Sequence, residues 1–251
     1  STVYLASRVF NNSSLYDPYW SVAPPLILSA WIFSSPQGFS LEAVVLLVVI
    51  IIWSIRLTVN WALSWRGMGQ EDWRYRGFRE TTGSWYWTVS FFAIHLFPTL
   101  IVYFALTPAY ALLQSLQRYE GKLPPLALLG TAVILSGTLI SHISDSQMRR
   151  FKRENGGSAV MTEGLWGLSR HPNYLGENMV WIGLWIYSVE AAGIITLICP
   201  ATMLVLFLGY SIPAMEKKVV SSRPEYREVQ QLIPRLLILP GRFTSRRKQE
   251  E

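Results

Sequence analysis

The apolar residues of this chain fall in blocks about as long as a bilayer is thick, not at the roughly 3.6- or 2-residue periods of soluble helices and strands. Six such blocks alternate with polar segments. Leu41 to Trp65 is the strongest, with an unbroken aliphatic run from Val44 to Ile52 at its centre. Val22 to Phe33 is the shortest and carries Pro24 and Pro25. Trp85 to Leu113 is rich in aromatic residues and holds Pro98 and Pro108, either of which can kink or end a helix. Leu126 to Ile143 follows Pro124-Pro125, a suitable helix entry. Asn173 to Ser188 and Ala191 to Ile212, parted only by Val189 and Glu190, read as a helical hairpin. The pattern predicts an all-α fold, a multi-pass transmembrane helical bundle of about six spans.

Charge orders these blocks. Nearly all of the 22 Lys and Arg fall in the loop 66–82, the loop 146–172 and the chain from Pro213 onward. Only Arg118 and Lys122 lie in a loop on the other side, and Arg56 lies within a span. Six crossings with both termini on the basic, cytoplasm-like face satisfy the positive-inside rule. The expected organisation is a peripheral N-terminal segment (1–21), a transmembrane helical domain (22–212) and a basic amphipathic tail (213–251), frayed or peripheral beyond Gly241. Topology also accounts for the pI near 9.5, so no nucleic-acid partner is expected. The basic face suits anionic lipid head groups or a phosphate-bearing cofactor. Charged residues make up 15% of the chain against roughly 25% in a soluble domain. The single cysteine, Cys199, excludes an intrachain disulfide and a cysteine zinc cluster, and no metal site is expected. The host membrane stays open between endoplasmic reticulum, an organelle inner membrane and a bacterial inner membrane.

Ionisable groups at membrane depth cost roughly 2.5–3.5 kcal/mol on insertion scales and are functional candidates for that reason. Trp53, Arg56 and Asn60 share one helical face, as do His142, Asp145 and Arg149, and as do Asn173, Glu177 and Trp181. Arg56 lies about two turns inside its span, where buried pairing is expected over snorkelling. His95 stands alone in the third block, where a helix–helix hydrogen bond is the simpler account. The densest stretch runs Gly164-Leu165-Trp166-Gly167-Leu168-Ser169-Arg170-His171-Pro172-Asn173-Tyr174-Leu175-Gly176-Glu177. It sets a cation, an imidazole, an amide and a phenol against a helix start whose φ is fixed by Pro172. Free N–H groups there and the Arg170 charge suit a phosphate or carboxylate. Asn173 and Glu177 suit a carboxamide-bearing ring one turn deeper.

These residues resemble the steroid 5-alpha-reductase family. The likeness is carried by Trp53-Ser54-Ile55-Arg56-Leu57, Glu71-Asp72-Trp73-Arg74-Tyr75, Ser144-Asp145 with Arg149, and Ser169 to Glu177, and it spans residues 53–177. Isoprenylcysteine and phospholipid methyltransferases carry similar Arg-His-Pro-Asn-Tyr runs, but the Gly-Glu that follows and the upstream Glu-Asp-Trp-Arg-Tyr favour the reductase branch. The resemblance implies an all-helical membrane fold enclosing NADPH from the cytosolic side. It further implies hydride transfer to a polarised carbon–carbon double bond of a lipid or steroid-like enone. On that reading Asp145 and Arg149 hold the adenosine and phosphate part. Arg170 and His171 lie near the phosphates, with Tyr174 in the same set. Asn173 and Glu177 grip the nicotinamide carboxamide, and Lys217 and Lys218 close the site.

Characterised family members hold the substrate carbonyl with a Tyr and a Glu in the early spans. Here the nearest position to that Tyr is Trp53, and the only acid in the first two blocks is Glu42 at an edge. Trp donates an N–H and cannot protonate an enolate. Arg56, Tyr86 and His95 are the candidate proton donors, and the sequence does not choose among them. Two other readings stay open: an S-adenosylmethionine-dependent lipid or prenylcysteine methyltransferase, and a non-catalytic reductase-like subunit of a larger membrane complex. Expected partners are accordingly a lipid substrate, membrane lipids and the other subunits of such a complex.

Overall fold

A computed structural model describes residues 2–119, 122–156 and 159–238, so the expected fraying of the tail beyond Gly241 lies outside the described residues. All regular structure among the described residues is helical. The chain divides into two compact units, Ser1–Leu128 with Tyr187–Cys199, and Leu129–Ile186 with Pro200–Glu251.

In the first unit, α1 (Thr2–Val9) and a 3-10 turn at Ser13–Tyr16 precede α2 (Tyr19–Ser34) and α3 (Leu41–Ser64). Ser40 starts α3 by accepting the Ala43 N–H at 3.3 Å. Helical spacing then buries one stripe, Ala43, Leu46, Val49, Ile50 and Trp53, inside the unit. The opposite stripe, Val44, Val48, Ile52, Ile55, Val59 and Leu63, is exposed and equally apolar. A helix apolar on both faces is stable only where its solvent is hydrocarbon.

The next polar loop ends at Asp72, which caps α4 (Trp73–Thr82) by accepting the Arg74 N–H at 2.9 Å. A 3-10 turn, α5 (Tyr86–Val89), a π-helical stretch (Ser90–Leu96) and α6 (Phe97–Ser115) follow without a break. The third apolar block is thus part of one helical run, Trp73–Tyr119. Neither proline ends it. Pro98 follows directly on the π-helical stretch, at the second residue of α6, and Pro108 is carried inside. The irregular stretch lies one turn before Pro98, at the π segment. Among the N-terminal residues, Ser7, Asn12, Ser13, Ser14 and Tyr16 are buried. Asn12 donates to the Met68 and Gln70 carbonyls at 2.9 and 3.2 Å.

The second unit is framed by α7 (Ala127–Asn155), whose first two residues belong to the first unit, and α8 (Pro172–Ala192), whose last residues do. Small residues let them touch: a Cβ at Gly137 would meet the Gly176 carbonyl oxygen at 2.5 Å, and one at Gly183 would meet the Gly130 oxygen at 2.8 Å. Close backbone approach through glycine is how helices associate where no hydrophobic effect drives them together. The expected hairpin at Val189–Glu190 lies a few residues later, at Gly193, whose φ of +82° suits glycine. Beyond it run α9 (Ile198–Leu206), a second π-helical turn (Phe207–Ser211), α10 (Ile212–Ser222) and α11 (Tyr226–Leu232). The stretch expected as a tail from residue 213 is therefore helical in its first part, with Glu216, Tyr226, Val229 and Ile233 buried.

Four helical runs are long and apolar enough to cross a membrane: Leu41–Ser64, Trp73–Tyr119, Ala127–Asn155 and Ile194–Ser222. α8 is not among them, because it carries Asn173, Glu177 and Asn178 in its first turns.

Candidate functional site

The Arg-His-Pro turn of the second unit is placed by the end of α7. Gln147 accepts the Leu165 N–H at 3.0 Å, and the Trp166 indole N–H donates to the Ser144 carbonyl at 2.9 Å. Gly164 permits this with a φ of +56° and with its Cα against the Gln147 side chain. The turn then meets the C-terminal segment. Arg170 N–H donates to Pro234 O at 2.9 Å, and Ser169 Oγ donates to Leu236 O at 2.8 Å.

Under that strap lies a buried knot around Glu216. Its Oε1 accepts from His171 Nε2 at 2.9 Å and lies 3.2 Å from Arg170 Nε, with side-chain exposures of 5–7% throughout. Its Oε2 accepts from Gln230 Nε2 at 2.8 Å, and Arg170 also donates to Gln230 O at 3.0 Å. Because the carboxylate can only accept, His171 carries a proton on Nε2. The His171 ring stacks on Tyr174, with centroids 5.6 Å apart, and Tyr174 packs in turn against Phe207. The Arg170 guanidinium therefore faces a carboxylate inside the protein.

One residue further on, Asn173 occupies the first turn of α8. Its Nδ2 lies 3.4 Å from Asp145 Oδ1 on α7, and its carbonyl accepts from Ser141 Oγ at 2.9 Å. Its Oδ1 is buried and has no hydrogen-bond partner. Glu177, one turn deeper, is 6% exposed. Asn178 donates to the Tyr174 carbonyl at 2.8 Å while its own Oδ1 is buried without a partner. Arg149 donates to Ser146 Oγ at 2.9 Å. The first turns of α8 thus hold unmet acceptors beside a buried carboxylate, an arrangement suited to a ligand bearing N–H or O–H donors.

Tyr86 and His95 belong to a different cluster, in the first unit. Glu71 Oε1 accepts from the Ser13 N–H at 2.8 Å and from Tyr86 Oη at 3.0 Å, and Arg79 Nε pairs with Glu71 Oε2 at 2.9 Å. Burial opposes the Glu71 charge, but bonds from Arg79, the Ser13 N–H and Tyr86 outweigh it and hold the carboxyl below the usual carboxylate range. Ser13 Oγ bridges Tyr86 Oη at 2.6 Å and Ser90 Oγ at 3.0 Å. His95 Nδ1 lies 2.9 Å from the Ser90 carbonyl, and Nε2 lies 3.1 Å from Ser7 Oγ. Arg56 sits half-buried on α3, one turn from the fully buried Trp53. Beside these, Asp17 joins the N-terminal segment to α4, accepting from Tyr75 Oη at 2.5 Å and pairing with Arg74 at 3.1 Å.

Sequence reading missed Glu216, Gln230, Ser13 and Ser90. A lone acid following the apolar run that ends at Ile212 was the available signal for Glu216. The hydroxyls carry no signal, since buried serines are common in close-packed membrane helices.

Helices apolar on their outward faces and a polar core of motif residues define an integral, multi-pass helical membrane protein. The chain belongs to the family described as protein of unknown function (DUF1295), whose model matches residues 3–233. Among curated proteins it is similar to uncharacterized protein C594.04c of Schizosaccharomyces pombe, 25% identical over 206 residues, 72% of this chain and 59% of that one. It is also similar to steroid 5-alpha-reductase DET2 of Arabidopsis thaliana, 37% identical over 67 residues, 26% of each chain. The matches thus span 59% and 26% of the lengths of these two relatives. No solved structure matches the chain with significance.

Proposed function

We propose that this protein is a membrane-embedded reductase that uses NADPH to reduce a carbon–carbon double bond in a lipid or steroid-like enone. The observation that carries the reading is Asn173. Its amide is held to Asp145 on one side, and on the other its Oδ1 is buried without a donor, one turn from buried Glu177. An orphaned acceptor costs about 1–3 kcal/mol and calls for a partner. A nicotinamide carboxamide offers an N–H donor for the Asn173 oxygen that lacks one. The local likeness to a steroid 5-alpha-reductase supports the same reading.

The residues fit such a cofactor as follows. Asn173 and Glu177 orient the carboxamide. Asp145 anchors Asn173 and, with Arg149, serves the adenosine and phosphate end. Arg170 and His171 stand closest to Glu216, so their first role is to fix the turn that starts α8, with Tyr174 stacked above it. A bound reduced nicotinamide supplies a hydride. The six-span topology with both termini on the basic face belongs to this proposal, since it opens the site toward the side where phosphates are found.

The test is NADPH binding to the full chain in nanodiscs with bound lipid retained, followed by nicotinamide fluorescence. Saturable binding that S-adenosylmethionine does not displace supports the reading. Absence of binding to a folded protein, or binding of S-adenosylmethionine in its place, overturns it.

A further inference from the structure

We infer that the first unit carries a proton relay, Glu71–Tyr86–Ser13–Ser90–His95–Ser7, which delivers protons from the polar end of α4 to the buried imidazole of His95. It rests on the reductase reading for its purpose, though not for its existence.

The links are hydrogen bonds of 3.0 Å from Glu71 to Tyr86, 2.6 Å from Tyr86 to Ser13 and 3.0 Å from Ser13 to Ser90. They continue at 3.4 Å from Ser90 Oγ to His95 Nδ1 and 3.1 Å from His95 Nε2 to Ser7. Tyr86, Ser13 and Ser90 join through hydroxyls, each able to donate in either direction, which is what proton hopping requires. His95 meets the same condition. With its proton on Nδ1 it donates to the Ser90 carbonyl at 2.9 Å and accepts from Ser7 on Nε2. With its proton on Nε2 it donates to Ser7 and accepts from Ser90 Oγ on Nδ1. Both tautomers find a partner, and the Nε2–H form gives up the bond to the Ser90 carbonyl.

A second, independent feature is the backbone. The stretch Ser90–Leu96 is π-helical, and its longer repeat brings His95, five residues on, over the Ser90 carbonyl. An ordinary α-turn would set residues 91 and 95 together instead. Such bulges lie frequently at functional sites. Water meets the outer end at Arg79, whose side chain is 31% exposed beside 9% for Glu71. At the inner end His95 is 3% exposed, with Tyr4 and Tyr16 set edge-on to its ring.

This arrangement sorts the proton-donor candidates. Both hydrogen-bonding positions of the Tyr86 phenol are engaged, by Ser13 and Glu71, so Tyr86 passes protons on and His95 is the inner donor. A proton drawn from the inner end leaves His95 Nε2 by way of Ser7. Nδ1 is reprotonated from Ser90, the deficit moves outward through Ser13 to Tyr86, and the Glu71 carboxylate takes a proton from water and passes it to the Tyr86 phenolate. The relay changes no oxidation state.

The chain has three histidines, so ring nitrogens labelled with ¹⁵N are resolvable by NMR of the full chain in detergent. We expect His95 to interconvert between tautomers and to exchange its ring proton with solvent. Tyr86→Phe and Ser90→Ala should slow that exchange at least tenfold, and Ser90→Thr should restore it. The His171 signal, held by Glu216, reports that the fold is intact. One fixed His95 tautomer, or exchange unchanged in Tyr86→Phe, overturns the relay. Relay behaviour without NADPH binding leaves the relay standing and removes the reductase, and NADPH binding with a static His95 does the reverse.

Discussion

The two polar clusters solve the same problem in opposite ways. In the first unit, Ser13, Ser90 and Tyr86 form a mostly neutral network whose only charges, Glu71 and Arg79, stand at its outer end. In the second unit full charges go inside: Arg170 and Glu216 face each other at 6% and 7% exposure. Burying charge is tolerated only with a partner in place, and the Glu216 carboxylate is bonded through both oxygens. Next to that closed knot, Asn173 and Asn178 keep orphaned acceptors. On the reductase reading the unmet acceptors face the ligand, and the knot fixes the turn that leads into them.

The largest expected effect breaks the knot. Glu216→Ala leaves Arg170 buried without its counter-charge and should cost roughly 3–5 kcal/mol, read as a fall in the thermal unfolding midpoint in detergent. The paired replacement Arg170→Met with Glu216→Leu should recover most of that loss, because an apolar pair of similar volume needs no partner. If the single change is silent, the contrast between a charged and a neutral cluster has no energetic content.

Next comes the seam that holds Asn173 against Asp145. Gly176→Val pushes a side chain into Gly137 O and Ser141 Oγ. Overpacking of this kind costs about 3 kcal/mol, and here it should also separate α7 from α8 and abolish NADPH binding. A variant as stable as the parent would show that the two helices do not depend on this approach.

The sequence spoke clearly on some of this and not on the rest. Spans were legible because the bilayer imposes one long-range rule, an apolar outer face, visible in Val44, Val48 and Ile52 as in any helix of the bundle. Asp145 and Asn173 were legible as polar faces at the ends of successive helices, and they lie 3.4 Å apart. Glu216 meets His171 across 45 positions, and Ser13 meets Tyr86 across 73. Such pairs are set by how helices dock, which no local period records. The π stretch was hidden for a related reason: prolines announce a break, and Pro98 drew attention to the wrong turn.

A smaller effect separates ligand contacts from scaffold. Glu177→Gln keeps the shape of the side chain and removes its charge. It should weaken NADPH binding about tenfold, or 1.4 kcal/mol, with the unfolding midpoint unchanged. Equal loss of stability and affinity would assign Glu177 to the scaffold and take the ligand out of the second cluster.

The smallest effect tests the outer end of the first cluster by pH. The Glu71 carboxyl sits below its usual range because Arg79, the Ser13 N–H and Tyr86 bond its charged form more than burial disfavours it. A group whose folded pKa is depressed adds stability above its unfolded value, about 4.3 for glutamate, and loses it as pH falls through the folded value. Wild type should thus exceed Glu71→Gln by roughly 1 kcal/mol near neutrality, the scale of a partly exposed pair. That gap should stay level down to about pH 5 and close below about pH 4. Other carboxylates titrate in the same window, but they are common to both proteins and cancel in the difference. A gap that persists into acid would mean that Glu71 acts through its shape alone, and the neutral network would then need no charge at its mouth.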